Sequence, residues 1–287
     1  MKKFFIGKLH QILRMPVFEK LLHSVVKQKD ITSYSSKFIP PNFSYPNPSF
    51  RIAKTDKLTI NANIHDYNDW KAYWEVKEIE RLNLYSLAQD CTTVVDVGVN
   101  NGWVIMNLAL IVKPNHGFVY GFEPHPETYA RCIRNIAENN IANAKVFNLG
   151  CGDEAAQLNM IKPVESNSGQ NRVIINDEGL EQNEIVSIKI VKLDEQLKAS
   201  EKIDLIKIDV EGFEMKVLSG AKEILKKFKP ILFIELDDQL LKCNGNSAEE
   251  LLSFIKSYDY SVLKANTKKE LPMDIDLNNC HFDIICQ

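Results

Sequence analysis

The strongest constraint on the fold of this chain is an alternation of short β-branched runs with helical segments. The apolar runs read VVDVG, FVYGFEP, AKVFNLG, DLIKIDV and PILFIEL. Each of them follows or precedes a segment with helical periodicity, such as TYARCIRNIAENN. Strands that are apolar on both faces are typical of a parallel sheet covered by helices. The alternation therefore predicts an α/β fold with a mostly parallel sheet.

Three further segments add to this outline. The last two strand-like runs, YSVLKA and HFDIICQ, are joined by a loop without a convincing helix, which favours an antiparallel pair. Residues 154–193 contain two apolar runs around a polar loop, and they predict a β-hairpin or edge-strand insertion. Residues 70–87 show helical spacing throughout and predict a helix that leads into the first strand.

The first 30 residues differ in charge from the remainder of the chain. They contain seven Lys or Arg residues against Glu19 and Asp30, whereas the whole chain has a net charge of -3. Their apolar residues recur at helical spacing with a break at Pro16, which predicts two amphipathic helices. Such helices either pack on the main domain or a second subunit, or lie on a membrane surface.

The composition is that of an ordinary globular protein, with 45% apolar and 25% charged residues. We expect an N-terminal helical extension with a Pro-rich linker over residues 1–50 and one large domain over residues 51–287. The cysteines form no CxxC pair, and residues 2–29 contain no apolar run of signal-peptide or membrane-spanning length. These features favour a reduced cytoplasmic protein, either free or held at the inner face of the membrane.

The loop after the first strand has the composition of a ligand-binding turn. Its pattern D-x-G-x-N-x-G is formed by Asp96, Gly98, Asn100 and Gly102. Glycines allow close approach of a ligand at the carboxyl edge of an open α/β sheet. The spacing differs from the G-x-G-x-x-G fingerprint of dinucleotide-binding folds. A carboxylate at Asp96 repels a pyrophosphate but suits a cationic sulfonium that also carries an ammonium group.

Acidic residues follow the second and third strands. Glu123 ends the second strand, where a carboxylate can accept hydrogen bonds from both hydroxyls of a ribose. The alternative is an interaction with the dipole of the helix that begins near Pro126. The third strand is expected to end in the run Asn148 to Asp153, where Asp153 either meets an adenine amino group or caps a turn.

The fourth strand contains charged residues in an otherwise apolar run. Strand alternation places Lys207, Asp209 and Glu211 on one face. Buried charges are costly unless they are paired or functional. Either Lys207 forms an ion pair that holds the strand end, or Asp209 contacts a ligand ammonium group or acts as a base. Glu235 is expected at the edge of the adjacent strand.

Four segments together resemble the FkbM-type family of S-adenosylmethionine-dependent methyltransferases. The segments are VVDVGVNNG, GFEPHPETYARCIRNI, DLIKIDVEGFEMKVLSGAKEIL and KPILFIEL. The most specific of them is KIDVEGFE followed by VLSGA. The resemblance implies a class I, Rossmann-like methyltransferase with a seven-stranded, mostly parallel sheet and an antiparallel last strand. It also implies that S-adenosyl-L-methionine is the cofactor and that a hydroxyl of a sugar, glycan or natural product is O-methylated.

The resemblance also assigns roles by position. It implies a cofactor site formed by Asp96, Gly98, Asn100, Gly102, Glu123 and Asp153. Asp209 and Glu211 match the acidic pair of the family's KIDVEG stretch, and we expect one of them to orient or deprotonate the acceptor. The loop Ser166–Gln170 resembles the family's Ser/Gly-rich loop only loosely.

Other candidates for the chemistry stay open. Alternative bases are His65, His125 and His281. No metal is predicted, although several carboxylates could gather oxygen ligands for Mg²⁺. These carboxylates belong to Asp209, Glu211, Glu235, Asp237 and Asp238.

Two other functional classes share some of these features. An NAD-dependent oxidoreductase or nucleotide-sugar enzyme has the same sheet and acid, but it requires a different glycine spacing. A non-catalytic cofactor-binding scaffold would use the N-terminal helices for docking, and a homo-oligomer is a further option. We expect a small-molecule or glycan acceptor and no nucleic-acid partner, because the catalytic segment lacks a basic stripe interleaved with aromatic residues.

Overall fold

The chain forms two compact units that divide between Leu82 and Asn83. The computed structural model describes residues 9–27, 29, 33, 35–55, 57–162, 172–174, 184–272 and 274–287. The domain boundary expected between residues 50 and 51 stays a prediction. Among the described residues, no helix has the length and apolar character that a membrane crossing requires.

The first unit is built on a β-hairpin. Strand β1 (Phe50–Lys54) pairs antiparallel with β2 (Thr59–Asn63). Residues 9–13 are helical, and helix α1 (Pro16–Val26) follows them after a break. The predicted pair of N-terminal helices with a break at Pro16 is therefore confirmed over residues 9–26, whereas residues 1–8 lie outside the described residues.

The single helix expected over residues 70–87 is wrong. Helix α2 (Tyr67–Tyr73) and helix α3 (Ile79–Leu87) are separate. Asp66 caps the start of α2 by accepting hydrogen bonds from the backbone amides of Asn68 and Asp69. Glu75 lies between the helices with a φ of 48°, a left-handed conformation that interrupts helical hydrogen bonding. Apolar spacing does not reveal one left-handed residue, so the sequence pattern runs through the break.

The second unit contains two sheets. Its strands are β3 (Thr93–Val97), β4 (Phe118–Phe122), β5 (Ala144–Phe147), β6 (Gly150–Cys151), β7 (Ala156–Lys162), β8 (Arg172–Ile174), β9 (Glu184–Val191), β10 (Leu205–Ile208), β11 (Ile231–Asp237), β12 (Val262–Lys264), β13 (Lys269–Glu270) and β14 (His281–Cys286). The large sheet has the order β13-β12-β14-β11-β10-β3-β4-β5. Its central strands β11, β10, β3, β4 and β5 are all parallel, and β14 pairs antiparallel with β11 and β12. The α/β class, the mostly parallel sheet and the antiparallel last strand are confirmed.

Helices connect the strands of the large sheet. They are α4 (Trp103–Val112), α5 (Pro126–Glu138), α6 (Leu193–Gln196), α7 (Glu214–Ser219), α8 (Lys222–Phe228), α9 (Asp238–Cys243) and α10 (Ala248–Lys256). The strand residues Val95, Ile206 and Ile234 are fully buried in the core that these helices cover. Burial of such side chains is the main favourable contribution to folding.

Two details of the large sheet differ from the expectation. It has eight strands rather than seven, because the short, exposed and polar strand β13 pairs with β12. The third strand ends at Phe147, before the segment that was expected to complete it. There the side-chain amide of Asn148 donates hydrogen bonds to the carbonyls of Glu123 and Pro124, and the chain leaves the sheet.

The insertion after β5 forms a sheet of its own. Its order is β6-β9-β7-β8, and the antiparallel pair β7 and β9 confirms the predicted β-hairpin. The alternative of an edge strand added to the large sheet is wrong, because β7 pairs with β8 and β9 in a separate four-stranded sheet. The loop Ser166–Gln170 lies outside the described residues.

Candidate active site

The candidate site lies at the carboxyl edge of the large sheet. Strands β3, β4, β10 and β11 are parallel, so the loops that follow them meet at this edge. The glycine loop follows β3, Glu123 follows β4, and Asp209 and Glu211 follow β10. Glu235 lies near the end of β11. Open α/β sheets bind ligands at this position.

Close backbone contact explains the glycines of the first loop. Gly98 has a φ of 86°, and a Cβ atom at this position would lie 1.8 Å from the carbonyl oxygen of Asp209. Gly102 has a φ of 90°, and its Cβ would lie 2.9 Å from Sγ of Cys132. Only glycine fits such positions. The loop after β3 is therefore held directly against the loop after β10.

Glu123 is buried and holds the glycine loop to the start of α5. Its Oε2 accepts a hydrogen bond from the backbone amide of Asn100 at 2.8 Å, and its Oε1 accepts one from the amide of His125 at 3.0 Å. Burial raises the pKa of this carboxyl to about 7, although the two amide hydrogen bonds oppose the change. The contact with His125, at the N-terminal end of α5, matches the alternative interpretation of Glu123.

Lys207 lies between two carboxylates. Its Nζ is 3.3 Å from Oδ1 of Asp96 and 3.3 Å from Oδ2 of Asp209, and it donates a hydrogen bond to the carbonyl of Gly98 at 2.9 Å. Burial alone lowers the pKa of Lys207, but the charges of Asp209 and Asp96 outweigh it and the pKa is raised. The ion pair expected as the structural role of this strand is therefore present.

Asp96 is fully buried, whereas the Asp209 side chain is 44% exposed. Burial raises the pKa of Asp96, and the nearby Lys207 ammonium opposes that change. Among the described residues, neither carboxylate oxygen of Asp96 has a hydrogen-bond partner with good geometry. A fully buried carboxylate that shares one ammonium group with a second carboxylate is a candidate ligand contact.

Three carboxylates form a cluster next to Lys207. One oxygen each from Asp209, Glu211 and Glu235 lies within 4.8 Å of the others. Burial raises the pKa of Glu211 to about 9, and the charge of Asp209 adds to the effect. Burial followed by the charges of Asp209 and Glu211 also raises the pKa of Glu235 well above its usual range. Glu211 therefore holds its proton at neutral pH, and the same surroundings favour the protonated form of Glu235.

Glu214 shapes the loop after β10 and was not among the residues predicted from the sequence. Glu214 is buried, and its Oε1 accepts hydrogen bonds from the amides of Val210 and Gly212, both at 3.1 Å. These contacts fix the turn in which Glu211 adopts a left-handed φ of 55°. Burial raises the pKa of Glu214 to about 7. Its position in the first turn of α7, within KIDVEGFE, was the available signal.

Asp153 lies apart from the end of the third strand. It follows β6 in the smaller sheet, where its Oδ2 accepts a hydrogen bond from Lys216 at 2.8 Å. The prediction that it meets an adenine amino group was based on a strand that ends earlier, at Phe147. That role stays a prediction.

The three histidines differ in their surroundings. His281 lies nearest to the acidic cluster, with Nδ1 2.9 Å from Asp237 and Nε2 4.0 Å from Glu235. His125 is buried at the start of α5. His65 belongs to the first unit, where its Nδ1 lies 2.7 Å from the carbonyl of Tyr45. The three clustered carboxylates are close enough to share a cation, and the expectation that no metal is needed stays a prediction.

Proteins of similar sequence are methyltransferases. Methyltransferase 1 of Beauveria bassiana (strain ARSEF 2860) is 25% identical over 201 residues, in a match that covers 60% of this chain and 78% of that protein. Methyltransferase sdnD of Sordaria araneosa is 26% identical over 202 residues, with 60% and 76% covered.

Similar solved structures have lower sequence identity. The methyltransferase FkbM from Methylobacillus flagellatus KT has a TM-score of 0.44 and 17% identity, and the match covers 77% of this chain and 55% of that chain. This chain thus spans little more than half the length of that protein. SMU.1697c from Streptococcus mutans, crystallised in complex with SAH, has a TM-score of 0.43 and 14% identity, with 74% and 98% covered.

The family comparison covers the candidate site. Residues 96–262 match the model of the methyltransferase FkbM domain, a range that begins at Asp96 and includes Glu123, Asp209, Glu211 and Glu235. This match confirms the resemblance that the sequence motifs indicated. S-adenosylmethionine is the cofactor of that family. Because the match extends over more than half of its residues, this chain belongs to the FkbM methyltransferase family.

Proposed function

We propose that this methyltransferase uses S-adenosylmethionine to methylate a hydroxyl oxygen of a sugar, glycan or natural-product acceptor. The observation that supports this function most is the meeting of three features at one edge of the sheet. They are the glycine loop, the buried Glu123 carboxyl and the carboxylate cluster beside Lys207. A cofactor and an acceptor would lie side by side there.

The buried groups at this edge fit a cationic cofactor that carries a ribose. Asp96 is buried and shares the Lys207 ammonium with Asp209, so two carboxylates meet one cation and a further ammonium or sulfonium group nearby would be favoured. We assign the ribose hydroxyls to Glu123. The remaining contacts in the proposal come from Gly98, Asn100 and Gly102 for the methionine part and from Asp153 for the adenine.

Methyl transfer to a hydroxyl requires that the protein align the acceptor with the methyl group and provide one proton acceptor. Bound S-adenosylmethionine would supply an electrophilic methyl group, with S-adenosylhomocysteine as the leaving group. The chain's own residues would hold the acceptor hydroxyl in line with that methyl group, and a carboxylate would take the hydroxyl proton. We assign the proton acceptor to Asp209, which is accessible and whose negative charge is stabilised by Lys207 at 3.3 Å.

Glu211 has a different role in this proposal. With a pKa of about 9 it holds its own proton at neutral pH and cannot act as the base. A protonated carboxyl can instead donate a hydrogen bond to an acceptor oxygen and orient it. In this proposal Asp209 accepts the proton and Glu211 donates a hydrogen bond. Pairs of carboxyls in different surroundings have such separate roles in other enzymes.

The test uses cofactor with a labelled methyl group and a panel of hydroxyl-bearing sugars and small molecules. We expect the label in an ether, and Asp209→Asn should lower kcat by roughly 10²- to 10⁴-fold with unchanged cofactor affinity. Asp259→Asn, a change at an exposed carboxylate, is the matched control. Label on nitrogen or carbon would refute O-methylation, and full turnover by Asp209→Asn would refute the base.

A further inference from the structure

Helix α1 turns a charged residue inward. Glu19 is only 3% exposed, and its carboxylate accepts hydrogen bonds from Arg51 at 2.6 and 3.2 Å and from the hydroxyl of Tyr73 at 3.0 Å. On the same helix His23 contacts the carbonyl of Tyr73 at 2.7 Å. These contacts within the first unit fix the rotation of α1 about its axis.

The opposite face of α1 is apolar and exposed. Val17, Leu21 and Val25 follow one another at a spacing of four residues and are 78%, 64% and 55% exposed. These three residues are called the α1 stripe below. A helix on the surface of a globular protein normally buries its apolar face and exposes its polar one. Helix α1 buries Glu19 and Val26 but leaves this apolar row exposed, which indicates that the stripe is covered by something apolar.

The exposed apolar side chains are concentrated in this segment. Of thirteen large apolar side chains that are exposed among the described residues, six lie between Ile12 and Val25. Single exposed apolar residues are common on protein surfaces, but a continuous row on one helix marks an interaction site.

The positive charge of residues 1–30 indicates which kind of partner fits the α1 stripe. Residues 1–30 have a net charge of +5, with seven Lys or Arg residues against two acids, so the remainder of this chain has -8. A second copy would bring an equally basic segment to the stripe, and like charges would oppose that pairing. An anionic lipid surface offers negative headgroups together with an apolar layer just beneath them.

We propose that α1 docks this protein on an anionic membrane surface, with the α1 stripe in the outer part of the acyl layer. Lys20 and Lys29 are exposed in the same segment and would contact the headgroups. This binding is independent of methyl transfer. It would hold this protein at the membrane surface.

The test is sedimentation of the full chain with vesicles. One set contains phosphatidylcholine alone and the other also contains phosphatidylglycerol. We expect binding to the mixed vesicles, weaker binding at high salt, and about tenfold or greater loss of binding for the double variant Val17→Gln with Leu21→Gln. The matched control is Ile133→Gln with Ile185→Gln, two exposed apolar side chains of the second unit.

Three results of these experiments would contradict membrane docking by the α1 stripe. Absence of wild-type binding to mixed vesicles, or equal binding by the stripe variant and the control, would overturn the proposal. A wild-type dimer in sedimentation equilibrium that becomes monomeric in the stripe variant would assign the stripe to a second copy and also overturn it. Unchanged thermal unfolding of the stripe variant shows that the loss of binding does not come from misfolding.

Discussion

Asp209 and Glu211 lie two positions apart, yet their surroundings suit them to different tasks. Asp209 is accessible and pairs with the Lys207 ammonium, whereas Glu211 is held in a tight left-handed turn among other carboxyls. Three carboxyl groups so close together cannot all ionise at neutral pH. Asp209 is the member of the cluster that lies against the Lys207 ammonium.

The pH dependence of kcat/KM for the acceptor tests the role of Glu211. In the wild type, kcat/KM should fall above a pKa at or below about 9, because Glu211 must keep its proton. The positive charge of a bound cofactor would favour the ionised carboxylate and so lower this pKa. Glu211→Gln cannot ionise, so it should keep most activity and lose this alkaline fall, whereas Glu211→Ala should be slow at every pH. Loss of activity in Glu211→Gln as complete as in Asp209→Asn would contradict this role.

The same cluster determines the response to metal removal. Metal ligands must be deprotonated, and the raised pKa of Glu211 means that a cation could bind there only by displacing a proton. We expect methyl transfer to be unchanged in excess EDTA. Activity that disappears in EDTA and returns with Mg²⁺ would show instead that the three carboxylates bind a cation.

At the scale of elements, the site depends on two loops that touch. Gly98→Ala would place a methyl group against the Asp209 carbonyl and should lower the free energy of unfolding by more than about 2 kcal/mol. Gly245 is the matched control, because its φ of 78° is similar but a Cβ there has open space within 4 Å. Urea unfolding of both variants measures the difference. Equal losses would mean that the close approach has no energetic importance.

The sequence predicted those elements whose signal is apolar and regular. The runs around Val95, Ile206 and Ile234 identified the central strands because both faces of these strands are buried. Features set by single backbone conformations were not predicted, such as the break at Glu75 and the end of β5 before Asn148. Strand β13 was not predicted, because its two residues are polar and exposed.

The candidate site was predictable to a similar extent. The order of strand, loop and acid identified Glu123, Asp209 and Glu211, since parallel strands bring their carboxyl ends to one edge. Protonation could not be predicted, because it depends on burial and on distances between carboxyls. Glu214 was missed for a related reason. Its importance comes from two backbone amides of a turn, and the chain order does not reveal that contact.

For the whole molecule, the buried carboxyls make stability depend on pH. Glu123 and Glu214 each have a pKa of about 7 in the fold against an ordinary value of 4.5. A raised pKa means that the fold binds the proton more tightly than the unfolded chain. Stability from each group is therefore fully present below about pH 4.5 and is lost as pH rises through about 7, by on the order of 3 kcal/mol.

The measurement is the unfolding temperature between pH 5 and pH 8. We expect it to fall across this range in wild type and to fall less in Glu214→Gln, whose amide oxygen can still accept the two loop hydrogen bonds. A wild-type unfolding temperature that rises with pH would contradict the assigned protonation states.

The most direct test of the central claim is calorimetric titration of the purified protein with S-adenosylmethionine, S-adenosylhomocysteine and NAD. We expect both methionine cofactors to bind and NAD not to bind. Glu123→Ala should weaken that binding at least about tenfold, the effect of losing the hydrogen bonds from the ribose hydroxyls to this carboxyl, whereas the exposed control Glu154→Ala should not. Binding of NAD without binding of either methionine cofactor would contradict the account.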